Sequence, residues 1–138
     1  MMPWTAAPGT LAFTRVYDEI ASPLRFRRDP CPRVDERVRA VAAGLDVAVL
    51  LGRDTGDLSS GEKARVALAA ALVAGPDLLV LDEADSNLDG DGTAGMMEMI
   101  RVSSCPRVIL STHRMGLASQ ADRVIFLDGG KFLHAGTP

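Results

Sequence analysis

Between Ser59 and Asp89 the chain reads SSGEKARVALAAALVAGPDLLVLDEADSNLD, and this stretch limits the possible fold more than any other. Ser59 and Glu62 have capping-box spacing: the hydroxyl accepts from the third helical N–H, and the carboxylate reaches back to the N–H of the cap. Val66, Ala69, Ala70 and Val73 then recur at i, i+3, i+4 and i+7, which is one face of a helix. Gly75-Pro76 stops that helix. DLLVLDE (77–83) follows as an uninterrupted apolar strand. A strand with no solvent face belongs to a parallel sheet covered on both sides.

The rest of the chain continues the alternation. RVDERVRAVAAGLD (33–46) places Val34, Val38, Val41 and Ala42 on one helical face, and Gly44 or Gly52 ends it or its successor VAVLLGR. TAGMMEMIRV (93–102) reads as a helix, RVILS (107–111) as a second buried strand, MGLASQAD (115–122) as a short helix and RVIFL (123–127) as a third strand. DGGK (128–131) is a tight hairpin turn into KFLHAG. Residues 1–30, with Pro3, Pro8, Pro23 and Pro30, read as loop around one short element, FTRVYDEIASPLRF. The expected class is α/β.

Composition narrows the function. The 138 residues are 47% hydrophobic and 24% charged, enough for one domain with a core. A net charge of −3 gives no global pull toward nucleic acid or anionic lipid. Arg25, Arg27 and Arg28 read as a solvated basic patch. Cys31 and Cys105 lack metal-ligand spacing, which fits reduced thiols in a cytosolic chain. The start MMPWTAAPGTLAF has neither the basic region nor the apolar core of a signal peptide. No apolar run approaches the roughly 20 residues that cross a bilayer.

Three motifs carry chemistry. LLVLDE delivers Asp82 and Glu83 to the carboxyl edge of a strand, where open α/β sheets place their ligands. LSSGE gives a helix N-terminus with hydroxyls at Ser59 and Ser60 beside Gly61, an arrangement suited to an anion. STH puts His113 at the end of another strand, where an imidazole can donate to phosphate or orient water. Each alone also fits a plain role: a strand meeting a loop, an ordinary cap, a surface histidine. His134 reads as that plain kind.

Together, LSSGE, LLVLDE, SNLD and STH closely resemble, in order and spacing, the signature motif, Walker B strand, D-loop and switch histidine of an ATP-binding cassette (ABC) transporter ATPase. Asp82 lies 23 residues after Ser59, and His113 lies 31 after Asp82. The resemblance runs from about Thr10 to Pro138, and TRVYDEIASPLRFR resembles the segment after the Q-loop. It implies a P-loop NTPase (RecA-like) parallel sheet with a helical subdomain, here residues 14–75 and 76–138 of one cassette fragment. It also implies ATP and Mg²⁺ as ligands. Asp82 would order Mg²⁺, Glu83 would be the catalytic base and His113 would contact the γ-phosphate. Ser59, Ser60, Gly61 and Glu62 would face ATP held by a second cassette, and Asp89 would lie at that interface.

The chain departs from the pattern in one large respect. It contains no G-x-x-x-x-G-K-[ST]; its first lysine is Lys63, and its one glutamine, Gln120, is out of place for a Q-loop. The resemblance therefore implies a cassette lacking its front, with a sheet missing its N-terminal strands. Because the family's P-loop strand lies between those matching RVILS and RVIFL, two apolar strand edges should be left unpaired. Ser60, Ala70, Ala84 and Asp85 are smaller departures. Three functions follow: the ATPase subunit of a membrane transporter, an importer from its ending ADRVIFLDGGKFLHAGTP; a soluble, non-transport ABC ATPase; or a non-catalytic half-cassette that needs a P-loop-bearing partner. For the first, the expected partners are a transmembrane permease subunit and a second cassette, homo- or heterodimeric, with no nucleic acid. The expected location is cytoplasmic, peripheral on the inner face of the plasma membrane.

Overall fold

A computed structural model describes residues 4–6 and 11–138. The elements are β1 (Trp4–Ala6), α1 (Val16–Phe26), α2 (Cys31–Gly44), two 3₁₀ turns (Ala48–Leu50 and Thr55–Asp57), α3 (Ser60–Leu72), β2 (Leu79–Asp82), α4 (Gly90–Val102), β3 (Val108–Ser111), α5 (Met115–Ala118), β4 (Val124–Asp128) and β5 (Lys131–Gly136). The architecture is α/β, as the alternation of patterns predicts.

The apolar strand is the middle of a three-stranded parallel sheet ordered β1-β2-β3. Leu79, Val80 and Leu81 face Trp4, Thr5 and Ala6 on one side, and Val108, Ile109 and Leu110 on the other. Leu79 is fully buried and Leu81 nearly so. The core joins them to Val16, Ile20 and Leu24 of α1, Val34 and Val38 of α2, and Val66, Leu68 and Ala69 of α3. β1 falls where the sequence predicts loop, because three residues carry no periodicity and only pairing with β2 makes them a strand. The reading of residues 1–3 and 7–10 as loop lies outside the described residues.

Local chemistry explains the helix limits. α2 starts two residues before the predicted 33, with Pro32 in its first turn, where the missing N–H costs nothing. α1 runs through Pro23. The proline cannot donate to the Glu19 carbonyl, and the Ser22 hydroxyl donates to it instead at 2.9 Å. α3 ends before Gly75, whose φ of +62° glycine adopts without strain. Gly129 and Gly130, at φ +52° and +73°, form the predicted hairpin turn between β4 and β5.

Two expectations about the strands need correction. β3 is not buried: Ile109 is 56% exposed, because β3 is the sheet's edge. β4 does not extend the parallel sheet; it pairs antiparallel with β5 in a separate two-stranded sheet, and none of its residues is buried. The predicted open edges do appear. Among the described residues, the far edge of β3 and the far edge of β4 are unpaired, and Val108, Ile109, Ile125 and Leu127 are exposed beside them.

The division of labour between strands is measurable. Leu79→Ala should lower the urea-unfolding free energy by about 2–5 kcal/mol. Ile125→Ala, on the exposed hairpin, should change it by less than about 0.5 kcal/mol.

Candidate nucleotide-facing site

The register of β2 against β3 builds the first half of the site. Asp82 stands opposite Ser111. The Ser111 hydroxyl donates to Asp82 Oδ1 at 2.5 Å and accepts the Glu83 N–H at 2.9 Å. Glu83 has φ +46°, an uncommon left-handed conformation for a non-glycine residue, which marks the end of the strand. Two residues past Ser111, His113 places Nε2 3.0 Å from Glu83 Oε1. A carboxylate only accepts, so Nε2 carries the proton in this contact. Asp82, Glu83 and His113 therefore converge at the carboxyl edge of the sheet, as the motifs predict. The His113 side chain is 89% exposed, so the contact with Glu83 leaves it open to a ligand.

The donor set suits Mg²⁺. Asp82 and Glu83 are exposed, hard oxygen donors at one strand end. Among the described residues no cluster of three or more His, Cys, Asp or Glu could hold a metal alone. Mg²⁺ keeps most of its water and takes one or two carboxylates plus phosphate oxygens. The residues do not suit α- and β-phosphates: no glycine-rich loop with a lysine occurs in the sequence.

The second half is the start of α3. The Ser59 hydroxyl accepts the Glu62 N–H at 3.2 Å, and Glu62 Oε2 accepts the Ser59 N–H at 2.8 Å, a complete capping box. Ser59 and Ser60 are exposed and Gly61 is half-buried. Since Ser59 Oγ accepts from the backbone, its own proton is free to donate outward. Arg53 fixes this corner by donating to Glu62 Oε1 at 2.9 Å and to the Asp57 carbonyl at 2.8 Å. Thr55 ties the same turn to the Phe13 carbonyl, ahead of α1. The hydrogen bonds from Ser59, with the Arg53 guanidinium beside them, hold the Glu62 carboxyl below its ordinary range.

Asp89 caps α4, accepting the Gly92 N–H at 2.7 Å. A cavity of about 260 Å³ between α3 and α4 is lined by Ser59, Gly61, Arg65, Gly92 and Met96 among others. None of Asp82, Glu83 and His113 lines it.

One cluster went unread in the sequence. Asp85 is buried, accepts the Thr112 hydroxyl at 2.8 Å and pairs with Arg114 Nε at 3.4 Å. Arg114 also donates to Thr93 Oγ1 and to the Leu88 carbonyl. The only signals were an acid close after β2 and an arginine directly after STH, and no fixed spacing joins the two.

The sequence profile described as ABC transporter matches residues 7–86. The chain belongs to the ABC transporter family. This ABC chain is 34% identical, over 121 residues, to the lipoprotein-releasing system ATP-binding protein LolD of Pseudomonas syringae pv. tomato, covering 86% of itself and 53% of that protein. It is 33% identical to the trehalose/maltose import ATP-binding protein MalK of Thermococcus litoralis, covering 89% of itself and 34% of that protein. A solved structure of cbiO1 from Clostridium perfringens, described as part of the ABC transporter complex cbiONQ, superposes with a TM-score of 0.85 at 25% identity. That superposition covers 96% of this chain and 55% of cbiO1. The chain thus spans about half or less of the length of these relatives.

Two outcomes test the α3 corner. Ser59→Ala should cost about 0.5–2 kcal/mol in urea unfolding, and Ser59→Asp should recover most of it. The folded Glu62 carboxyl titrates below its unfolded value of about 4.3, so its stabilisation is complete above that pH and is lost as pH falls through the folded value. The urea midpoint should fall with acid over that window, and Glu62→Gln should flatten part of the fall.

Proposed function

We propose that this chain is the hydrolytic and signature-bearing part of an ABC transporter's ATPase subunit, which takes part in ATP hydrolysis coupled to moving a substrate. The observation that carries the reading is the Glu83–His113 contact beside Asp82, on the same strand edge. The proposed division is 14–75 for the helical, signature-bearing part and 76–138 for the acid and histidine motifs.

Each residue has a task. Glu83 accepts the proton of the attacking water, a general-base role worth about 10²–10⁴-fold in rate. As that proton leaves, the water oxygen bonds to the γ-phosphorus, and the bond to the β–γ bridging oxygen breaks to release ADP. His113 touches Glu83 Oε1 and lies beside the terminal phosphate. Asp82 would hold Mg²⁺, which would supply charge neutralisation of the phosphates. Ser59, Ser60 and Gly61, with the α3 dipole, face the γ-phosphate of ATP on a second cassette, while Glu62 keeps that helix start in shape. Asp89 lies beside the same interface.

No helix among the described residues is long and apolar enough to cross a membrane. The proposed partners are a transmembrane permease subunit and a second cassette, without nucleic acid. The proposed location is peripheral, on the cytoplasmic face of the plasma membrane. The relatives' names diverge between lipoprotein release and sugar import; the terminal segment 121–138 favours import.

A second reading is a half-cassette that acts only with a P-loop-bearing partner. The unpaired edges of β3 and β4 favour it, since each can accept another strand.

The test is to mix the 138-residue chain with the P-loop half of the Pseudomonas syringae relative and measure ATP turnover. Turnover should appear on mixing, not in this chain alone, and Glu83→Gln should reduce it about 10²-fold or more. Turnover by the mixture that is indifferent to Glu83→Gln contradicts the hydrolytic role.

A further inference from the structure

The contact between Glu83 and His113 is too exposed to hold itself. Exposed ion pairs contribute little, and His113 is almost wholly in solvent. Something else must fix the loop after β2 against the loop after β3.

We propose that Arg114 is a positioning residue, a clamp that sets Glu83 and His113 against each other and fixes residues 85–89. Its guanidinium reaches three residues at once, two in the loop after β2 and one in α4. Nη2 donates to the Leu88 carbonyl at 2.7 Å, Nη1 donates to Thr93 Oγ1 at 2.9 Å, and Nε pairs with Asp85 Oδ2 at 3.4 Å. Its own backbone is anchored as well: its N–H donates to the Thr112 hydroxyl at 3.0 Å, and that hydroxyl donates to Asp85 Oδ2 at 2.8 Å. The Asp85 residue is 2% exposed, and a carboxylate so buried must be paired.

These bonds leave the loop little freedom. The Ser86 N–H donates to the Glu83 carbonyl at 3.0 Å and the Leu88 N–H to the Asp85 carbonyl at 3.1 Å, two successive turns from Glu83 to the Asp89 cap of α4. Arg114 ties down the far turn through Leu88 and the near one through Asp85. His113 is its immediate neighbour in the chain, so the same anchor places the imidazole. Only arginine has a planar fork able to serve three acceptors; a lysine ammonium reaches fewer in one geometry.

The positional claim stands apart from the proposed hydrolysis and is tested on the 138-residue chain without nucleotide. Amide hydrogen exchange is measured at Ser86 and Leu88, with Val66 of α3 as reference, and ring-proton NMR signals of His113 against those of His134. Arg114→Met strands the Asp85 charge, so the companion variant is Asp85→Asn with Arg114→Met, which removes that charge and still lacks the bonds to Leu88 and Thr93. In the folded double variant, Ser86 and Leu88 should exchange about tenfold faster or more while Val66 is unchanged. The His113 ring signals should shift and those of His134 should not. Arg114→Lys should show the same pattern at smaller size. Wild-type exchange at Ser86 and Leu88 in the double variant, or a rise matched at Val66, overturns the clamp. Loss of ATP turnover in the mixing experiment with the clamp intact overturns the hydrolytic reading alone.

Discussion

The structure depends on β2 being paired on both sides. Leu79 to Leu81 give their backbone bonds to β1 and β3, and Leu79 and Leu81 give their side chains to the core, so the strand has no freedom to slip. A slip of one residue would turn every side chain to the opposite face. The register puts Asp82 opposite Ser111, and that pairing decides the chemistry. The Ser111 hydroxyl joins Asp82 to the Glu83 backbone, and the chain reaches His113 two residues later. Two residues 30 apart in sequence thus meet at one edge.

The second group of proposed site residues is built differently. Ser59, Ser60 and Gly61 depend on a helix start held by its own capping box and by Arg53, with Thr55 fastening that turn to the segment before α1. Backbone donors at a helix N-terminus favour an anion, whereas Asp82 and Glu83 favour a cation. One chain therefore presents two chemically different surfaces, one suited to an anion and one to a cation.

Local chemistry made much of this readable from sequence. The cap at Ser59, the stop at Gly75-Pro76, the apolar run of β2 and the two glycines of the hairpin each follow from neighbouring residues, and the structure has them where expected. What depended on distant contacts was not readable. β1 is three residues that become a strand only against β2. RVILS looks like a buried strand, yet it lies at a sheet edge, because apolar content reports what a strand can bury and not what is present to cover it. Asp89 also serves as the cap of α4, a local role that its place in a recognised motif obscured. The Asp85–Arg114 pair joins two loops 29 residues apart and leaves no periodic trace. The open edges of β3 and β4 were foreseen from family resemblance, not from the residues themselves.

The central claim is that the β2–β3 register brings Asp82, Glu83 and His113 together. Through-space proton NMR contacts in the isotope-labelled chain test it most directly. The account predicts cross-strand contacts pairing Leu81 with Leu110 and Asp82 with Ser111, and side-chain contacts between Glu83 and the His113 ring. Contacts shifted by one residue along β3, or a His113 ring with none to Glu83, would contradict it.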